Sequence, residues 1–457
     1  MIEDPEAGGA RDPEVQKVRL YPVTRIEGRG DIEILFTPDQ KVIEARFRGL
    51  DNRGLEKLVQ GLPALRAPTV LARACGTCGT FHQLAACRAL EAACGVEVPE
   101  AAGTFRELVC WLLLTASHLQ TIAYLALPDF ALPTSDAAVK NITGIYMVDQ
   151  ETIARLFAAM NAVNESVQCL AGNHFRPAVI VPGGVSAFPG RSERDLALEL
   201  LEGCSSDLRE TMRLAEMLTR RESRIMETGA PLTGHYMAST VEGIPELIGD
   251  EISISPFGGG ETETVDPVAF IDSVEEHPVP WSGVVPLKVA GVDSTMVGPL
   301  ARLNHGFGDD TPAAQLESMR CFEQWERPLD RESFFLVALA CEAIRGLEKA
   351  RGLTGELREV SASEKPCAEI EPAAGAGSAV VESPRGLIAH VLEVDDAGRI
   401  GSCRIMSPLQ FNYTLMNRHL TNVARKNVRG IEVVDADAAR LQFAVRSFNP
   451  CVPCGTH

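Results

Sequence analysis

Positive charge is what this 457-residue chain is short of: 43 lysines and arginines face 62 aspartates and glutamates, for a formal net charge of -19. That balance argues against a nucleic-acid binder and against a protein held on an anionic membrane by a basic face. Long apolar runs are missing as well. The nearest, LVCWLLLTASHL (108–119) and FFLVALACEAI (334–344), are broken by polar groups and read as core helices, so no direct membrane insertion is expected. The opening MIEDPEAGGARDPEVQK is acidic and lacks a cationic start with an apolar stretch. No signal peptide is expected there, and the expected location is cytoplasmic. Disulfide density is absent too: thirteen cysteines, an odd number, are spread over the whole chain. Metal-binding or buried thiols in a reducing compartment fit that pattern better than a cross-linked secreted framework. There is no internal repeat, and with 45% hydrophobic and 23% charged residues the polar bias of a disordered chain is missing.

What is present predicts an α+β fold. Length alone allows about three domains, but the reading adopted is a polar tail over 1–17 followed by a single interwoven domain over 18–457. Alternation in VRLYPV, DIEILFT and KVIEARFRG, with turns at EGRGD and TPDQ, predicts a small N-terminal antiparallel sheet. Three-and-four spacing of apolar residues predicts helices over 81–94, 104–125, 151–170, 193–221 and 331–351, the core of a mainly helical bundle. Two peripheral excursions of strand and loop are expected, near 225–305 (with a flexible loop GGGETETVDP) and 353–378. Strands in AVVESPRG, LIAHVLEV and GRIGSCRIM and a last helix over 413–425 complete the chain.

Two cysteine pairs carry the chemistry. RACGTCGTFH holds Cys75 and Cys78 with His82 four residues on, and the tail CVPCGTH holds Cys451 and Cys454 with His457 three residues on. A Cys-x-x-Cys pair brings two sulfurs within reach of one metal. Singly, each pair also fits a redox dithiol or two buried thiols. Together they read as halves of one four-thiolate site, for which structural zinc is the first competitor. Zinc clips, however, are usually local, and this site would tie the tail back to position 75.

Arg-x-Cys-Gly-x-Cys-x-x-x-His near the start and Pro-Cys-x-x-Cys-x-x-His at the end resemble the paired signature of the nickel-iron hydrogenase large subunit. VTRIEGRG (23–30), RGLEKLVQG (53–61), GNHFRPAVIVPGGV (172–185) and ESPRG (382–386) resemble further elements of that family, in order, so that the resemblance runs from about residue 18 to 457.

The resemblance implies Cys75 and Cys451 as terminal thiolates on nickel, with Cys78 and Cys454 bridging to an iron that carries carbon monoxide and cyanide. Soft thiolates suit both metals. Dihydrogen would be split heterolytically, with the proton taken by Cys451 or by Arg385 over the open metal position and passed to Glu27, whose pKa burial can lift. Arginine is a poor base, so Arg385 suits the role of a positive group better. Glu56, the carbonyl of Ile405 and His457 match a magnesium site. His82 would bond a bridging sulfur, and Pro384, Arg385, Pro408 and Leu409 would surround the diatomic ligands. Departures are Asn449 where the family has aspartate, Ser117 followed by His118 where membrane-bound uptake enzymes have aspartate, and Leu409 where a hydroxyl is common. Ser117 points to the soluble, cofactor-coupled type. The other nine cysteines read as buried small hydrophobes. Electrons would therefore leave through a small subunit carrying iron-sulfur clusters, possibly with further electron-transfer subunits. The alternatives are a regulatory dihydrogen sensor with slow turnover and a metal-free relative such as the homologous subunit of respiratory complex I.

Overall fold

The computed structural model describes residues 15–51, 54–133, 138–225, 231–357 and 364–457. The expected polar tail lies outside the described residues up to position 14, and the first strand begins within it. Gln16–Leu20, Gly30–Phe36 and Val42–Gly49 form the expected antiparallel sheet in that order. Its inner face buries Ile32, Ile34, Phe36, Ala45 and Phe47, the period-two pattern of a half-buried strand pair. The sheet is stitched to a helix from the far end of the chain, Pro408–Asn427. Asn417 Oδ1 accepts from the Phe47 amide at 2.7 Å, and Thr421 Oγ1 accepts from the Ala45 amide at 3.1 Å.

The helical body consists chiefly of Gly79–Cys94, Glu100–Gln120, Gln150–Ala171, Arg191–Gly203, Ser205–Ile225 and Phe335–Leu357. The helix expected over 193–221 is two helices, parted at Cys204 beside Gly203, a residue that favours helix ends over helix interiors. Glu100–Gln120 continues through a π-helical turn, Thr121–Ala126, into Leu127–Ala131. Pro128 has no amide to give the preceding turn, and the wider turn absorbs that loss. By length and apolarity this 32-residue run could cross a membrane, but 78% of its most apolar window is buried within the protein.

Glu100–Gln120 and Phe335–Leu357 cross so closely at Gly346 that an added Cβ would lie 2.2 Å from Thr115 Oγ1. Gly346→Ala should therefore destabilise the fold by about 1–3 kcal/mol, read as a lower urea midpoint at unchanged slope. An unchanged midpoint would mean the two helices part at no cost.

The 225–305 stretch is more than a peripheral excursion. His235–Val241 pairs antiparallel with Glu251–Pro256 and parallel with Thr295–Met296. GGGETETVDP is not all loop: Glu263–Val265 adds a third antiparallel strand, and Asp266 caps the helix Pro267–Asp272. This sheet packs on the antiparallel strands Gly375–Ser383, Gly386–Val394 and Ile400–Met406. Met237, Ile252, Ile254, Val380, Leu387 and Met406 share one buried cluster. Pro408–Asn427 starts five residues ahead of the expected helix because Ser407 and Gln410 form a capping box and Pro408 fits the first turn. A further helix, Asp435–Arg446, lies between it and the tail. Asp435 and Asp437 in its first turn, favourable at the positive helix end, were its signal.

Candidate metal centre

Each cysteine pair sits at the start of a helical turn. The 3-10 turn Ala72–Ala74 delivers Cys75, and Cys78 is the N-cap of Gly79–Cys94. The Cys78 amide donates to the Cys75 sulfur at 3.2 Å. Cys451 is likewise the N-cap of the single turn Val452–Gly455, and the Cys454 amide donates to Cys451 O at 3.2 Å. The tail is held against the N-terminal loop by a short parallel bridge between Glu27 and Cys451, with the Val452 amide 2.9 Å from Glu27 O. Gly28, at φ 88°, makes room: a Cβ there would lie 2.5 Å from Pro453 Cδ.

These turns bring the four sulfurs within 4.8 Å of one another, all buried. Cys75 Sγ lies 3.1 Å from Cys451 Sγ, which lies 2.8 Å from Cys454 Sγ. Among the described residues this is the one group of three or more histidines, cysteines and acids close enough to share a metal. Hydrogen bonds from Cys451, Cys454 and Cys78 hold the Cys75 thiol well below its usual range, while burial pushes Cys451 and Cys454 well above theirs. Four thiols so crowded do not all ionise unaided; the donor set suits soft cations, and nickel and iron fit it.

Arg385 arrives on a two-residue hairpin turn, Pro384-Arg385, between paired Ser383 and Gly386. The turn backs closely onto Gly298, where a Cβ would lie 2.6 Å from Arg385 O. The guanidinium is 2% exposed. Its Nη1 donates to Thr77 Oγ1 at 2.8 Å and to the Cys78 sulfur at 3.5 Å, and Nη2 lies 3.7 Å from Glu27 Oε1. Burial alone would lower its pKa, but Cys78, Cys451, Cys75 and Glu27 outweigh that and hold it above an ordinary arginine. Glu27 is only partly buried: its side chain is 34% exposed, at the edge of the centre.

His82 Nε2 lies 3.5 Å from the Cys454 sulfur, and Nδ1 lies 2.9 Å from His390 Nε2. Burial pushes His82 down to about 4. Glu56, Ile405 and His457 come together. Glu56 Oε1 accepts from the Ile405 amide at 2.6 Å and lies 3.5 Å from His457 Nε2. Burial raises the Glu56 carboxyl, against the opposing pull of His457 and the Ile405 amide. Pro384 lies in the hairpin turn, and Pro408 opens a helix whose next residue, Leu409, packs on Gly455. Asn449, buried, takes a left-handed φ of 47°, which asparagine tolerates better than most residues.

Three participants escaped sequence reasoning. Thr77 lies inside the Cys-Gly-Thr-Cys turn itself. Arg176 of GNHFRP donates to Cys75 O at 3.5 Å. His390 follows Arg385 on the strand Gly386–Val394. His118 lies apart from the sulfurs: it is 2.6 Å from Glu342, which pairs with Arg302, and Arg302 Nη1 donates to Ser383 O at 3.1 Å behind the hairpin. Of the nine other cysteines, Cys94, Cys169 and Cys367 are partly exposed and the rest are buried.

A family model of nickel-dependent hydrogenases matches residues 53–143, and one described as HoxL-like matches 17–48. The chain is 30% identical over 414 residues to the vhu polypeptide of the F420-non-reducing hydrogenase of Methanococcus voltae, covering 89% of this chain and 98% of that one. It is 26% identical over 472 residues to the beta subunit of the NAD-reducing hydrogenase HoxS of Cupriavidus necator, covering 97% and 95%. The crystal structure of an NAD+-reducing NiFe hydrogenase in the H2-reduced state superposes with a TM-score of 0.89 at 25% identity, over 97% of this chain and 100% of that one. A four-cysteine centre drawn from both ends of the chain, with these matches over nearly its whole length, places the protein in the nickel-dependent hydrogenase family as a nickel-iron hydrogenase large subunit.

Proposed function

We propose that this chain splits dihydrogen heterolytically and reversibly into protons and electrons. The observation that carries the reading is the buried four-sulfur cluster under a charged arginine, with one carboxylate at its edge. Cys75 and Cys451 would hold nickel, and Cys78 and Cys454 would bridge it to an iron bearing carbon monoxide and cyanide. When bound, these metals supply the redox and Lewis-acid chemistry. The chain's own residues handle charge and protons. Arg385, held charged, places a positive group beside Cys78 and is unsuited to act as the base. The Cys451 sulfur takes the released proton. Glu27, whose backbone is tied to the tail by the Val452 amide, receives it and, being partly exposed, passes it outward. His82 serves the Cys454 sulfur. Pro384, Pro408 and Leu409 would give the diatomic ligands an apolar surround, and Glu56, the carbonyl of Ile405 and His457 would form the magnesium site. Because Glu27, Cys75, Arg385 and Cys451 come from four distant parts of the chain, residues 18–457 act as one interwoven unit.

Electrons leave through an iron-sulfur small subunit, possibly with further electron-transfer subunits, in a cytoplasmic complex. The relatives support a complex of several subunits, being named as subunits of NAD-reducing and F420-non-reducing enzymes. Dye-linked dihydrogen oxidation by the co-purified complex tests the function, and turnover far below that of ordinary hydrogenases would favour a sensor. Glu27→Gln should slow dihydrogen–water isotope exchange by about 10²-fold or more while leaving the metal spectrum nearly unchanged. An unaltered exchange rate would remove Glu27 from the path.

A further inference from the structure

The strand Gly386–Val394 is the central strand of its sheet, and it reaches the metal centre twice. At its start Arg385 meets the Cys78 sulfur. Five positions later His390, fully buried and paired on either side with Ala379 and Ile405, meets His82. We propose that His390 is a positioning residue of the metal centre: it donates from Nε2 to His82 Nδ1, 2.9 Å away, and so fixes the His82 proton on Nε2, 3.5 Å from the Cys454 sulfur.

The argument turns on counting protons and lone pairs, and it rests on the metal-binding reading given above. A metal-bound thiolate offers only lone pairs, so His82 can serve it only as a donor. A neutral imidazole has one N–H. If that proton sat on Nδ1, the bare Nε2 would face the sulfur lone pairs across 3.5 Å, and the contact would repel. Two ring nitrogens at 2.9 Å share one proton between them, and a proton held on His390 Nε2 leaves Nδ1 of His82 as the acceptor. The orientation carries a penalty: among the described residues, Nδ1 of His390 is buried with no partner. An apolar residue of similar shape would remove that penalty, so stability alone does not account for a histidine here. The strand's two flanking partners give the ring a rigid mount, as directional second-layer groups require.

The test uses the complete metal-loaded complex. His390→Leu should bind nickel at the wild-type level yet show a lower midpoint potential at the metal centre, since a hydrogen bond to a ligating sulfur raises it. His390→Gln, whose amide can still donate, should keep the wild-type potential, which a merely space-filling role would not predict. A second readout needs no variant at this position. In a diamagnetic state, the nitrogen-15 histidine spectrum, assigned by the signal lost in His82→Gln, should show the His82 proton on Nε2. A proton on Nδ1 overturns the proposal, as does a nickel-loaded His390→Leu with unchanged potential. If His390→Leu fails to load metal, the spectrum decides alone. A wild-type complex without nickel would sink the reading of the centre instead, and the spectrum would still report which nitrogen of His82 is protonated.

Discussion

Cys454→Ser should yield a folded chain that carries no nickel. The substitution removes one sulfur from a cluster whose members lie within 4.8 Å of each other, and it replaces a soft thiolate by a hydroxyl that stays protonated at neutral pH and suits nickel poorly. Little else depends on this atom. It sits in a single turn near the end of the chain, and His82 can donate to the serine oxygen as it does to sulfur. The helical body should therefore give a wild-type circular dichroism spectrum, while elemental analysis finds nickel lost and dihydrogen oxidation falls to background. Retained nickel with full oxidation would refute the assignment of the site.

The second large effect is expected at Asp129, which no metal touches. Its buried carboxylate accepts from Arg25 at 2.6 Å and from Arg446 at 2.7 and 2.9 Å, with Lys140 at 3.5 Å. Burial alone would raise this carboxyl, but Arg446 and Arg25 outweigh it and hold it below the usual aspartate range. Asp129→Ala would leave two arginines and a lysine facing one another in a low-dielectric interior, which costs about 3–5 kcal/mol. The damage reaches the metal centre, because Arg25 lies two residues before Glu27 and Arg446 five before Cys451. Both a lower urea midpoint and poor nickel incorporation are expected, with Asp129→Asn in between because it restores the shape without the charge. A variant within about 0.5 kcal/mol of wild type would show that the node holds nothing.

What could be read in the sequence was local. The two Cys-x-x-Cys turns, each followed by a histidine, and the apolar spacing of the long helices depend on neighbours a few residues away, so they survive without a structure. The parting at Cys204 was hidden because apolar spacing carries on across it. The packing of His235–Val241 against the last sheet was hidden because strand partners lie far apart in the chain and alternation does not name them. The same holds for the centre's supports. Arg25, Asp129 and Arg446 each look like a solvated charge, and LIAH looks like any buried strand until His390 is seen beside His82. At Ile405 the hydrogen bond from its amide to Glu56 was hidden too, since partners 349 positions apart cannot be read from spacing.

The bridge between Glu27 and Cys451 also sets an order of events. Cys75 and Cys451 are 376 positions apart, so docking the tail closes a very long loop, and the entropy of that closure is recovered only after the helical body exists to receive it. The tail is then among the last pieces to fold in. Because its own structure is one turn, a local opening that breaks the hydrogen bond from the Val452 amide to Glu27 O can expose the sulfurs while the rest stays folded. A metal spanning both pairs would act as a latch on that opening, so that the tail leaves only when the cofactor does.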